Sequence, residues 1–385
     1  MSIFDNILRF KNRTAHQPDF NRLVRTLTRK EPGPVPVGEL FADFETVGSY
    51  LKQPVLDYAS MAADPDHKIT LNTAISGLRY LDQTIKFCLA AGWDYAYSFS
   101  SIPFPGFMYQ LSENTSKFTD AGRQRYWVDD NHGPIQNWDD FERYPWPDNP
   151  HSVNLLSRLM AKRVPEGMKT LVIPGGVFEW SSWLMGLTPF CYALADQSDL
   201  TTAIMEKVSD IIYAVIEDII EEPGVGGIFM GDDLGFTSGT MISPRMIRKH
   251  ILPQTKRFVD LVHDHGKLFL YHSCGNLEKI MDDIIATGID AKHSFEDKIM
   301  PVEEAYTRWS DQIGIIGGVD MHLLASGTEA DVRKRTREIL DVCGAGGRYV
   351  LGTGNSVANY LPLENYFAML DEGKRWNLEN FGRER

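Results

Sequence analysis

Residues 226–233 read GGIFMGDD and residues 267–274 read KLFLYHSC. Each is a short apolar run that ends abruptly on groups able to do chemistry, and a stretch of helical length follows each. A strand buried on both faces has no reason to alternate apolar with polar residues, so such runs mark a parallel sheet covered by helices. The same unit recurs downstream, with strands over 289–293, 313–317 and 347–352. Helices are expected over 244–265, 276–287, 301–310, 328–343 and 362–375. Several starts carry their own signals: Ser243-Pro244 and Met300-Pro301 place proline near N1, and Thr328 with Asp331 forms a capping box with Asp for Glu.

Upstream, VPVGEL (35–40), DYAYSF (94–99) and TLVIPG (170–175) read as strands, and 72–91 and 150–163 as helices. Eight strands alternating with helices predict an α/β fold of the (β/α)8 TIM-barrel type. No GxGxxG follows the first strand, so a dinucleotide-binding open sheet finds no support. The expected organisation is a single barrel domain over residues 1–385, with an N-terminal extension and a long insert after the second strand.

That insert, residues 100–150, carries Tyr109, Tyr126, Trp127, Trp138, Tyr144 and Trp146 among prolines and is too long for an ordinary βα loop. It reads as a lid or binding loop, or as an aromatic packing arm that contacts a second copy in a homodimer.

The net charge of the 385 residues is −13, which repels polyanions and excludes nucleic acid as an expected partner. No run of about 18 apolar residues is present, and charges interrupt the N-terminal MSIFDNILRFKNR. A cytoplasmic protein without membrane association is expected. Cys88, Cys191, Cys274 and Cys343 lie far apart without a CxxC pair, so all should be reduced; Cys88, Cys191 and Cys343 read as buried structural thiols.

In a barrel the working groups come from the C-terminal ends of the strands. Those ends supply Glu179, the pair Asp232-Asp233, His272 with Cys274, His293 with Glu296, Asp320, and Thr353 with Asn355. His272 and Cys274 are two apart on extended chain, so both side chains can face one ion. Imidazole nitrogen with thiolate sulfur suits Zn²⁺, which needs one more protein ligand and an open position to be catalytic. The alternative is a strand end whose His bonds a carbonyl and whose Cys packs as a small hydrophobe. Gly275-Asn276 is expected to turn into a helix N-terminus that favours a thiolate.

Asp232 and Asp233 repel one another unless a cation or donor offsets the cost, so one should face the mouth. Asp232, Asp233, Glu179 and His293 are the candidate third ligand and the candidate catalytic groups. Gly352, Gly354 and Asn355 let the backbone approach a ligand where many barrels bind phosphate, and tight turn geometry explains the glycines equally well. His132 and His322 remain unassigned.

HSCGN (272–276), GDDLG (231–235) and GGRYVLGTGNSVANYLPLENYFAML (346–370) together resemble the uroporphyrinogen decarboxylase superfamily, over about residues 20–375. The resemblance implies a (β/α)8 barrel and either of two chemistries, porphyrinogen decarboxylation or corrinoid-dependent methyl transfer. The decarboxylase branch carries an N-terminal QAGR-type motif that is absent here; the nearest arginines, Arg123 and Arg125, lie in the insert. The methyltransferase branch binds zinc through a His-x-Cys pair, matched by His272 and Cys274, and a later Cys. Thr353 stands at that later position, and Cys343 comes ten residues early. Replacing the second sulfur by a carboxylate oxygen would make the ion a better Lewis acid, suited to polarising a methyl ether.

WVDDNHGPIQNWDDFERYPWP (127–147) and DAKHSFEDKI (290–299) resemble the O-demethylase-type subgroup. The expected function is therefore methyl transfer between a small methylated donor, such as a methoxylated aromatic, and a corrinoid carried by a partner protein, with zinc at His272 and Cys274. Two alternatives stand: a metal-free carboxy-lyase using Asp232 or Asp233 on a tetrapyrrole, and a non-catalytic corrinoid- or tetrapyrrole-binding barrel.

Overall fold

The computed structural model of the chain describes residues 16–53, 71–107, 109–113 and 124–382. Seven strands make one curled, all-parallel sheet in the order β1 (Tyr95–Phe99), β4 (Lys169–Ile173), β5 (Val225–Gly231), β8 (Leu268–His272), β9 (Ala291–His293), β10 (Gly314–Ile316) and β11 (Tyr349–Val350). The other strand numbers belong to two antiparallel hairpins, β2 (Tyr109–Glu113) with β3 (Gln124–Val128), and β6 (Gly235–Phe236) with β7 (Gly239–Thr240). Every residue of β5 and β8 is buried, which is what their unbroken apolar runs require.

The segment read as a first strand forms no extended ladder. Val37 makes parallel bridges both to Trp93, beside β1, and to Leu351, beside β11, so it spans the gap between the two edge strands. Pro36 supplies a carbonyl but no N–H, and the pairing is held by Gly38 N–H to Leu351 O and Leu351 N–H to Pro36 O.

Helices cover the outside of the sheet. The longest, Ser198–Ile220, buries Leu200, Ile204, Val208, Ile212, Ile216 and Ile219, a stripe at three- and four-residue spacing. The Thr328–Asp331 capping box is present, and Ser243 caps the helix that Pro244 begins. Pro301 is itself the N-cap rather than N1 of the helix Val302–Trp309. The expected helix over 244–265 is interrupted by a π turn at Ile247–Ile251, just before Pro253, which has no N–H for the helical ladder. The helix-like apolar segment around Cys191 is the helix Leu187–Asp196, and a helix at Val177–Met185 precedes it where no element is expected from the sequence.

Cys88 and Cys343 are buried as expected, whereas Cys191 is exposed: on its helix Phe190 and Ala193 take the inward positions. In the insert, residue 108 and residues 114–123, Arg123 among them, lie outside the described residues, as do residues 1–15. Trp146 packs edge-on against Phe104, Phe141 and Tyr144. Among the described residues no helix is long and apolar enough to cross a membrane.

Candidate metal centre at the strand ends

Sheet register puts Gly231, His272 and His293 in one row, so the residues that follow these three strands meet at one level. Gly275 then turns at φ +83°, and a Cβ there would fall 2.2 Å from the backbone of Gly235. Only glycine meets both demands, and the turn lays the chain after β8 against the β6 hairpin. The helix expected after Asn276 opens as a 3-10 turn, Glu278–Ile280, and runs on as the α-helix Met281–Ala286; the Asn276 side chain accepts the Glu278 N–H at its start. The Cys274 sulfur instead receives a hydrogen bond from Asn355 Nδ2 at 3.2 Å.

Three donor atoms converge. His272 Nε2 lies 3.4 Å from Cys274 Sγ and 3.4 Å from Asp233 Oδ1, and all three lie within 4.8 Å of one another. A tetrahedral ion with bonds of roughly 2.0 to 2.3 Å holds its ligand atoms about 3.3 to 3.6 Å apart, so the two 3.4 Å separations from His272 Nε2 fit zinc with N, S and O donors. The Cys274 N–H donates to Asp233 Oδ1 at 2.8 Å and fixes the carboxylate.

The electrostatics are those of a charge-compensated cluster. Burial alone would lower the pKa of His272, but Cys274 and Asp233 beside it lift it to about 10. Burial would raise Asp233, yet the hydrogen bond and charge of His272 and the N–H of Cys274 bring it down to about 2. An ion would take the place of the His272 proton.

The two adjacent aspartates have different tasks. Asp232, 1% exposed, accepts the N–H groups of Phe178 at 3.2 Å and Glu179 at 3.0 Å and so caps the helix Val177–Met185 from a neighbouring strand. Its burial outweighs these bonds and pushes its pKa to about 7. Glu179 on that helix is held well above the ordinary carboxylate range by burial and by the charges of Asp233 and Asp232.

His293 lies beside His272 on the neighbouring strand, with Nδ1 2.8 Å from His272 Nδ1 and both rings buried. Burial and the nearby His272 and Lys292 charges keep it neutral. Thr353 is committed elsewhere: its N–H donates to Glu39 Oε1 at 2.8 Å, and Oγ1 lies 2.9 Å from Glu39 Oε2 and 2.5 Å from the Asn355 carbonyl oxygen. One hydroxyl proton serves one of those contacts, and the carboxyl proton that burial keeps on Glu39 serves the other. The Cβ directions of Gly352 and Gly354 are filled by Gly38 O at 2.3 Å and Phe295 O at 2.7 Å, so both glycines admit neighbouring chain.

Asp320 caps the helix Met321–Ser326 through the Leu323 N–H, and His322 lies on that helix beside Ser326. His132 bonds Asp129 in the insert. Glu296 lines a small cavity with Lys292 and Asn276. Two groups escaped the sequence reading. Glu39 is the penultimate residue of the 35–40 segment, and applying the strand-end rule there would have found it. Lys292 is 3% exposed, donates to Ser294 O and lies 4.3 Å from the Phe295 ring centroid; burial lowers its pKa to about 8. Next to Glu179, Trp180 stacks on Phe107 of the insert at 5.8 Å, and Trp183 meets both edge-on.

Comparison with known proteins adds three findings. The family model described as uroporphyrinogen decarboxylase (URO-D) matches residues 130–376. Two curated proteins named methylcobamide:CoM methyltransferase MtbA, from Methanosarcina acetivorans and Methanosarcina mazei, are 26% and 24% identical over 182 and 179 residues. Each match covers 46% of this chain and 50% of the relative, so the chain spans about half the length of the curated relatives it matches. A solved methyltransferase from Methanosarcina mazei superposes with a TM-score of 0.65 at 16% identity, over 92% of this chain and 98% of that one, a likeness of fold.

Proposed function

The chain belongs to the uroporphyrinogen decarboxylase family, and from that premise we propose that it is a zinc-assisted methyltransferase, moving a methyl group between a small methylated substrate and the corrinoid of a partner protein. With Val37 bridged to both edges, we read the sheet as a closed (β/α)8 barrel in one domain whose strand ends form a single mouth. The relatives' names, which pair a methylcobamide with a methyltransferase, support the corrinoid as the second reactant.

The carrying observation is the convergence of Asp233 Oδ1, His272 Nε2 and Cys274 Sγ at separations that suit one tetrahedral ion. Zinc held there supplies Lewis acidity toward the heteroatom that bears the methyl group. The chain's own groups do the rest. Glu179, kept protonated, hands a proton to the departing heteroatom. Asn355 steadies the sulfur of Cys274, and Trp180, Trp183 and Phe107 offer aromatic faces beside Glu179 to a flat substrate such as a methoxylated aromatic. A lyase would need a free carboxylate facing the mouth. Asp232 is spent on two N–H groups and Asp233 belongs to the donor cluster, so the geometry favours transfer.

Metal analysis and a methyl-transfer assay test this reading together. Purified protein should hold about one zinc per chain and form methylcobalamin from cob(I)alamin and a methoxylated aromatic, and Cys274→Ser should lose both properties. Absence of stoichiometric zinc, or zinc retained unchanged by Cys274→Ser, would overturn the metal-based mechanism.

A further inference from the structure

We infer that His293 is a positioning residue that holds the Nδ1 proton and the ring orientation of His272, so that His272 Nε2 faces the metal position and offers its lone pair there once an ion displaces the Nε2 proton. The inference rests on the metal reading above and deepens it.

His293 is fully buried, and its Nε2 makes no hydrogen bond. The backbone carbonyl of Thr353 is the acceptor on that side of the ring, and Glu39 Oε2 lies further off, 3.9 Å from Nε2. Space for the ring is left by Gly317, where a Cβ would fall 2.9 Å from His293 Cδ2 and 3.2 Å from Nε2. An imidazole nitrogen on the side of an acceptor carries the proton, so neutral His293 is the Nε2–H tautomer and its Nδ1 is a lone pair. That lone pair lies 2.8 Å from Nδ1 of His272, a contact that needs one proton between the two nitrogens. The proton must therefore sit on His272 Nδ1. His272 Nε2 is then left to face Cys274 Sγ and Asp233 Oδ1, each at 3.4 Å.

A metal-binding imidazole commonly donates its second N–H to a carboxylate, a carbonyl or water, and losing that partner typically costs about 10- to 100-fold in metal affinity. Here the partner is a second imidazole, and Thr353 and Glu39 set its polarity. The position where the resemblance implies a second sulfur is thus occupied by a residue that orients the site through His293.

The test uses the full chain and zinc itself. In wild-type protein labelled with 15N-histidine, long-range 1H–15N correlation should show His293 as the Nε2–H tautomer and His272 protonated at Nδ1 in the metal-free state. Zinc competition against a chromogenic chelator should then show His293→Phe weakened about 10- to 100-fold. His293→Asn, whose Oδ1 again offers an acceptor toward His272, should stay within about threefold of wild type. The Co²⁺-substituted protein should show an altered ligand-field spectrum in His293→Phe and a near-native one in His293→Asn. A His293 protonated at Nδ1, or a folded His293→Phe that binds zinc as wild type does, overturns the positioning role and leaves the metal reading intact. Wild type without zinc removes both.

Discussion

Asn355 Nδ2 donates a hydrogen bond to Cys274 Sγ at 3.2 Å, across 81 residues of sequence. The loop after the last strand thus brings the candidate centre an amide that steadies the sulfur already there. Hydrogen bonds to charged acceptors contribute about 1.5 to 3 kcal/mol. Asn355→Ala should accordingly weaken zinc binding by roughly tenfold or more and leave the thermal midpoint almost unchanged. Chelator competition with parallel thermal melts reads both quantities, and undiminished affinity would show that the contact carries no weight.

Asp232 and Asp233, adjacent in sequence, should separate cleanly on mutation. Asp233→Ala removes the proposed third ligand and should abolish zinc binding at modest cost in stability. Asp232→Ala strips two buried N–H groups of their acceptor, and each unsatisfied buried group costs about 1 to 3 kcal/mol. It should lower stability measurably. Denaturant titrations beside zinc analysis distinguish these outcomes, and an Asp232→Ala protein as stable as wild type would count against the capping role.

Glu179→Gln keeps the size of the side chain and removes its acidic proton. If Glu179 protonates the leaving heteroatom, methyl transfer should slow by about 10²- to 10⁴-fold while zinc content stays constant. Rates of methylcobalamin formation provide the measurement. A loss under about threefold would assign the proton to another source.

The stability of the metal-free protein should fall at both ends of the pH scale. His272 has a folded pKa of about 10, above its ordinary value of 6.5, so its contribution is complete below about 6.5 and disappears as pH rises through 10. Asp233 has a folded pKa of about 2, below 3.8, so its contribution is present above about 4 and is lost as pH falls toward 2. Chemical denaturation at stepped pH measures both limbs. The alkaline limb should vanish in a His272→Gln variant, and its persistence there would locate it elsewhere.

The sequence by itself determined the parallel sheet. Strands buried on both faces must be written as unbroken apolar runs, and GGIFMG and LFLY cannot be hidden among polar residues. The strand-end rule then reached Asp233, His272, Cys274 and Asn355 without coordinates, because a curled parallel sheet brings its strand ends together at one edge. Tertiary structure alone decided which group does what. Asp232 caps a helix 54 residues earlier, and Glu39 meets Thr353 across 314 residues only because Val37 joins the two edges of the sheet. Asp233 stands as the third donor because Gly275 folds the chain after β8 onto the β6 hairpin. Hydrogen bonds and ligand geometry are contacts between particular atoms over 2 to 4 Å, and no local pattern of residues encodes a distance between segments that the sheet has yet to bring together.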